Sequence, residues 1–139
     1  MGPASVVLSS MADWDDVVRV AKALPEVEDG SGRDTPAWTV RGKAFAWNRP
    51  LRTKDRDELG AAAPDGPILA VRVADLGEKE AILATGGPWF TTKHFNGYPA
   101  VLVSLDDATP AQLEELILDA WRAMAPADLL AEHEDGPGE

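Results

Sequence analysis

The sequence predicts an α+β domain, an antiparallel sheet built from hairpins with helices packed on one face. Three observations lead there. The stretches 36–48 and 89–105 each double back at a two-residue turn signal, Arg41-Gly42 and Asn96-Gly97. An apolar stripe of helical period runs through 110–124, and a second through 13–24. Strands that follow one another through tight turns pair antiparallel, and amphipathic helices then cover one face of the sheet.

The stretch 89–105 organises the chain, because it feeds straight into the longest helix. Asn and Gly both tolerate the positive φ of a type I′ turn, so Asn96-Gly97 predicts a two-residue loop. That loop sets Phe95 opposite Tyr98, Thr92 opposite Val101 and Phe90 opposite Val103. Phe90, Thr92, Val101, Val103 and Leu105 then share one side, and Trp89, Thr91, Leu102 and Ser104 the other. Pro99 cannot donate to a ladder, so its nitrogen should point away from a paired neighbour.

In chain order, residues 13–24 predict a helix capped by Asp13, with Asp15 and Asp16 at its positive end. Trp14, Val17, Val18, Ala21 and Leu24 form its apolar stripe, and Pro25 stops it. The polar segment 26–35 predicts a mobile loop. In the hairpin 36–48, an Arg41-Gly42 loop sets Trp38 opposite Phe45 and puts Val40 and Trp47 on the same side. The small residues Ala37, Thr39, Ala44 and Ala46 take the other. A short helix follows at about 54–62, capped by Thr53, then a strand at 68–73. A second short helix at 78–85 is stopped by Gly86-Gly87-Pro88. The last main helix has Thr109 as cap, Pro110 at the first helical position and Gln112 completing a capping box. Leu113, Leu116, Ile117, Ala120, Trp121 and Met124 form its buried stripe, Pro126 ends it, and 127–133 predict a further helical turn.

A chain of 139 residues suits one domain. The absence of Cys excludes a disulfide framework, a thiol nucleophile and a zinc knuckle, and fits a reducing, cytoplasmic setting. No apolar run approaches a membrane span, and the start has neither the basic region nor the apolar length of a signal peptide. We read 1–10 as a flexible leader, 11–131 as the domain and 132–139 as an acidic disordered tail, with Met11 an alternative start.

The formal charge of −11 argues against a general nucleic-acid binder, but its distribution is uneven. Residues 106–139 hold ten of the 24 acids and one base, Arg122. Residues 41–56 hold six of the 13 bases and one acid, Asp55. One basic segment therefore stands in an acidic background.

Three blocks together resemble the MmcQ/YjbR family of small bacterial proteins: ALPEVEDG at 23–30, PAWTVRGKAFAW at 36–47, and GGPWFTTKHFNGYPAVLVSLD running to LILDAWRAMAP over 86–126. The likeness spans about residues 11 to 130. It implies a curved antiparallel sheet between N- and C-terminal helices, similar to secretion-chaperone folds. It also implies the DNA-binding label that the family carries by shape analogy to a double-winged DNA-binding domain. That label names no binding residues, so none transfers to this chain. The longer basic segment 48–66 departs from shorter members.

The residues themselves offer two candidate sites. Arg41, Lys43, Arg49, Arg52, Lys54 and Arg56 could neutralise phosphates, with Trp47, and also Trp38 and Phe45 if outward-facing, stacking on bases. The competing reading makes the aromatics core and the bases a solvated rim paired with Asp55, Asp57 and Glu58. Binding through about 4–6 phosphates predicts a log–log salt slope near −4 to −5 and no sequence readout. The second candidate groups Trp89, Lys93, His94, Asn96 and Tyr98 for an anion or a small ring, with His94 a potential base. Its competing reading is a tight turn with Phe95 and Tyr98 as a cross-strand pair.

Enzyme motifs are absent: no Gly-x-Ser-x-Gly elbow, no phosphate loop, and two His residues that make no zinc site. The reading from sequence is a non-catalytic binding protein, without cofactor or metal, acting as monomer or homodimer. Its ligand is DNA, bound weakly and salt-sensitively, or alternatively a protein or small molecule on the sheet face, with no membrane partner.

Overall fold

The structure, a computed structural model, describes residues 11–29 and 36–135. The expected leader at 1–10, most of the polar loop and the end of the tail lie outside the described residues. Helix α1 (Trp14–Lys22) is followed by β1 (Val27–Asp29), β2 (Ala37–Val40) and β3 (Lys43–Asn48). Then come α2 (Thr53–Leu59), β4 (Ile68–Arg72), α3 (Leu76–Ala84), β5 (Trp89–Phe90) and β6 (Ala100–Ser104). The chain closes with α4 (Pro110–Met124) and α5 (Ala127–Asp135). The six strands form one sheet in the order β1-β2-β3-β4-β6-β5, every neighbouring pair antiparallel. The α+β class and the antiparallel sheet are as the sequence predicts. Among the described residues no helix is long and apolar enough to cross a membrane.

The two best-signalled helices form for the predicted reasons. In α1, Asp13 accepts from the Asp16 N–H at 3.0 Å and Asp16 accepts from the Asp13 N–H at 3.1 Å. In α4, Thr109 Oγ1 and Gln112 Oε1 make the same reciprocal cap, and Pro110 opens the helix. Their inward stripes, Val17, Val20 and Ala21 with Leu113, Ile117 and Trp121, pack on the sheet face that carries Val40, Leu69, Val71, Val101 and Val103. The indole N–H of Trp121 donates to the Pro25 carbonyl at 3.0 Å, tying α4 to the end of the first helix.

Two registers differ from expectation. The Arg41-Gly42 turn forms, with φ of 51° and 85° at its two residues. Yet Trp38 stands opposite Ala46, not Phe45, because the ladder shifts by a residue between Trp38 and Thr39. Such a bulge resets the alternation along the strand. Phe45 and Ala46 are both buried on the helix side, and Trp47 turns to the other face, away from Val40. The reset cannot be read from a strict two-residue period.

The second register is in 89–105. Trp89 pairs with Val103 and Phe90 with Leu102, one residue from the predicted alignment. The strand ends at Phe90, and residues 93–95 make a single 3-10 turn. Asn96 has φ −60° and Gly97 φ +76°, and the Tyr98 N–H donates to the Phe95 carbonyl at 3.0 Å, so residues 95–98 form a type II turn and not a type I′ hairpin loop. Pro99 supplies no N–H where a tight ladder would begin. Phe95 instead folds back onto Ile68, Ala70, Ala100 and Leu102, and Trp47, Leu51 and Phe90 flank them. The sheet's second face thus carries its own small apolar cluster under segments 49–51 and 93–98. The remaining shifts are small: α2 starts at Thr53 with Arg52 as its cap, α3 starts two residues early on Asp75, and α5 runs on to Asp135.

Candidate functional site

The two stretches that compete as sites in the sequence meet in space. Beyond β3 the chain crosses the second face through 49–52 into α2, and the turn at 93–98 folds up beside it. Arg49 joins them. Its backbone N–H donates to the Ile68 carbonyl at 2.9 Å, continuing the ladder past Asn48. Its buried guanidinium donates to the Pro50 carbonyl at 2.6 Å, pairs with Asp55 at 3.2 Å, and lies 5.3 Å from the Phe95 ring centre. From α2, the Glu58 carboxylate accepts the Lys93 N–H at 3.1 Å. Two adjoining clefts result. One, about 610 Å³, is lined by Trp47, Asn48, Pro50, Leu51, Phe95 and Tyr98. The other, about 850 Å³, is lined by Lys54, Asp57, Glu58 and Lys93. Arg49, Arg52 and His94 form the wall common to both.

Charge is distributed unevenly around this wall. Burial opposes ionisation of Asp55, but the Arg52 backbone N–H and the Arg49 guanidinium outweigh it and hold its carboxyl below the usual carboxylate range. Asp55 and Arg49 therefore neutralise one another. Arg52, Lys54 and Lys93 are exposed, and none forms a side-chain ion pair among the described residues. His94 is exposed, its ring edge-on to Phe95 at 5.1 Å between centres. Asp55, Asp57 and Glu58 bring negative charge into the larger cleft, Glu58 directly against the Lys93 N–H.

The turn is held from beneath by a residue the sequence reading missed. Lys79 of α3 is buried, and its ammonium donates to the Phe95 carbonyl at 2.6 Å and the Tyr98 carbonyl at 2.8 Å. Burial pushes its pKa down. The signal was its spacing: Lys79 falls three and four residues before Ile82 and Leu83, on the packed side of the helix. Above the turn, the Arg72 guanidinium lies 4.8 Å from the Tyr98 ring centre and donates to the Tyr98 hydroxyl at 3.2 Å.

Other residues singled out in the sequence lie elsewhere. Arg41 and Lys43 sit at the opposite end of β3, about 20 Å away by strand rise. Arg41 makes a two-pronged pair with Glu26 at 2.5 and 2.9 Å and approaches Asp128 at 3.6 Å; the Glu26 carboxylate holds its pKa above the usual arginine value. Arg56 faces Asp65 at 3.4 Å in solvent. The six bases of 41–56 do not make one surface. Trp38 and Phe45 are core residues. Trp47 is half-buried and lines the smaller cleft. Trp89 is on the helix side of the sheet, its indole N–H donating to Thr85 Oγ1 at 2.7 Å, so it does not join His94. Asn96 is exposed on the turn and lines neither cleft.

Comparison with known proteins gives consistent results. The YjbR family profile matches residues 22–123. The uncharacterized proteins Mb2600 of Mycobacterium bovis and Rv2570 of Mycobacterium tuberculosis are each 47% identical over 124 residues, covering 86% of this chain and 94% of theirs. A crystal structure of Deinococcus radiodurans protein DR2400, with a domain designated DUF419, shares the fold at 20% identity and TM-score 0.56, covering 80% of this chain and 77% of that one. By the extent of the family match and the identity of these relatives, the chain belongs to the YjbR family.

Proposed function

We propose that this protein is a non-catalytic nucleic-acid-binding domain whose ligand seat is the paired cleft around Arg49, Arg52 and His94, and that it takes unpaired nucleotides. The observation that carries the reading is the meeting of Arg52 and Lys54 with the Lys93-His94 turn, beside Trp47 and Tyr98. Cations free of acid partners neutralise phosphates, and ring faces stack on bases without reading sequence. Duplex DNA fits poorly. Three of the six bases of 41–56 are tied to carboxylates, the remaining cations are divided between the two ends of β3, and the net charge is −11. A non-catalytic reading is favoured because, among the described residues, no carboxylate hydrogen-bonds His94 to orient it as a base, its ring packing edge-on to Phe95 instead.

Fluorescence anisotropy with a short labelled single strand tests the reading. Binding should weaken with salt at a log–log slope of about −2 to −3, for three or four phosphates on a single strand. It should fall by roughly an order of magnitude or more in Arg52→Glu/Lys54→Glu, since each lost phosphate contact also becomes a repulsion. Binding that is equal in that variant, or absent in the natural protein, discards the reading. Binding of a free nucleoside phosphate, with no gain from a longer strand, transfers the site to a small anionic ligand.

A further inference from the structure

The clefts do not end at Tyr98. A third depression, about 520 Å³, adjoins them at the far end of β3, and is lined by Ala37, Lys43, Ala44, Trp47, Arg72, Tyr98 and, from α4, Met124. Trp47 and Tyr98 belong to both this depression and the 610 Å³ cleft. Three hollows therefore join into one path, from Lys54 past the Arg52 and His94 wall to Lys43. Two of its lining side chains, Ala37 and Ala44, are small and leave it shallow room between Trp47 and Lys43. The Tyr98 ring stands out of the surface, 40% exposed, and the Arg72 guanidinium fixes it there from one side.

The geometry points to this path as an extended single-strand track, in which Lys43 and Arg72 hold phosphates beyond the cleft and Trp47 and Tyr98 stack on the bases between them. The inference rests on the reading above and adds to it a direction, a length and two cations. The order of groups is what carries it. Positive side chains stand at both ends, Lys54 and Arg52 at one and Arg72 and Lys43 at the other, and aromatic rings stand in the middle. None of these four cations forms a side-chain ion pair among the described residues. No carboxylate lines the smaller cleft or the third depression, whereas Asp55, Asp57 and Glu58 line the larger cleft at the Lys54 end. A flexible anionic chain with planar bases complements that sequence of charge and ring. A rigid duplex cannot follow the bend from the α2 side onto the sheet, and a free nucleotide would use one part only. β3 alone spans about 20 Å, so the whole track suits a site near the short end of the ~4–16 nucleotides such grooves accept.

The test uses fluorescein-labelled oligothymidylates of three, six and nine nucleotides with the full chain. The track predicts an affinity rising about tenfold or more from three to six nucleotides and only slightly from six to nine. It predicts that Lys43→Glu/Arg72→Gln lowers the affinity for six nucleotides about tenfold, and that for three by no more than about twofold. An affinity that levels off at three nucleotides, or a six-nucleotide affinity unchanged in that variant, overturns the track while leaving the cleft reading intact. Failure of the natural protein to bind any length overturns both. A single variant, Lys43→Glu, guards against loss of the turn that Arg72 supports; it changes only an exposed end of β3 and should still lower the six-nucleotide affinity severalfold.

Discussion

The guanidinium of Arg49 lies over the ring of Phe95, 5.3 Å from its centre, and so locks the end of β3 to the turn at 93–98. The same group pairs with buried Asp55 at 3.2 Å, which draws in α2 as well. Arg49 is therefore a structural strut of the cleft more than a free cation. Arg49→Ala should destabilise the fold by about 3–5 kcal/mol, because it strands a buried carboxylate. Urea unfolding measures this, and a loss under about 1 kcal/mol would show that Asp55 finds solvent or another partner.

Asp55 makes the fold acid-sensitive. Its folded pKa lies below its unfolded value of about 3.9, so the unfolded chain binds the proton more readily. The stabilisation is complete above that value and is lost as the pH falls through the folded one. Unfolding free energies of the natural protein and Asp55→Asn, compared over the acid range, should converge as the pH drops. A difference independent of pH would contradict the assignment.

Lys79 makes an opposite kind of demand. Its two carbonyl bonds hold the turn, and Lys79→Met should cost about 1–3 kcal/mol through the unsatisfied Phe95 and Tyr98 carbonyls. Burial lowers the folded pKa, so between that value and the unfolded value of about 10.4 the unfolded chain holds more protons and stability rises with pH. The advantage of the natural protein over Lys79→Met should therefore widen between neutral and alkaline pH. Urea titrations at several pH values would show it. A gap that narrows would mean that the charged form is the better fitted one.

Gly87 carries a smaller prediction. A Cβ placed there would sit 2.3 Å from the Trp89 ring. Gly87→Ala should push the indole outward, break its bond to Thr85 and cost about 1–3 kcal/mol. Tryptophan fluorescence shifted to the red together with a lower melting temperature is the expected pair of observations. An unchanged melting temperature would mean that the ring yields freely.

The elements with strong local signals were legible from sequence. The Asp13 and Thr109 caps and the α4 stripe appear where residue type and spacing put them. The two turns show what was not. Arg41-Gly42 forms its loop, but the bulge in β3 depends on Phe45 and Ala46 both finding room under the helices, which no two-residue pattern records. Asn96-Gly97 has the best hairpin composition in the chain, yet Phe95 is drawn onto the second face of the sheet and Lys79 captures the carbonyls of the turn. Tertiary contacts there outweigh turn propensity. The site was half legible for the same reason. The residues of 49–54 and 93–98 could each be named, but their convergence depends on Arg49, Phe95 and Lys79 acting across elements distant in sequence. Arg41, the basic segment's first member, is lost to Glu26 by a β1 strand that composition did not predict.

Backbone amide NMR of the isotopically labelled protein, titrated with a six-nucleotide single strand, addresses the convergence itself. Shifts confined to residues 47–54, 93–98 and the Lys43 end of β3, with Arg56 and the face of α4 silent, are the expected result. Shifts centred on Arg56 or the acidic helices, or none at saturating ligand, would contradict a cleft built from the two halves.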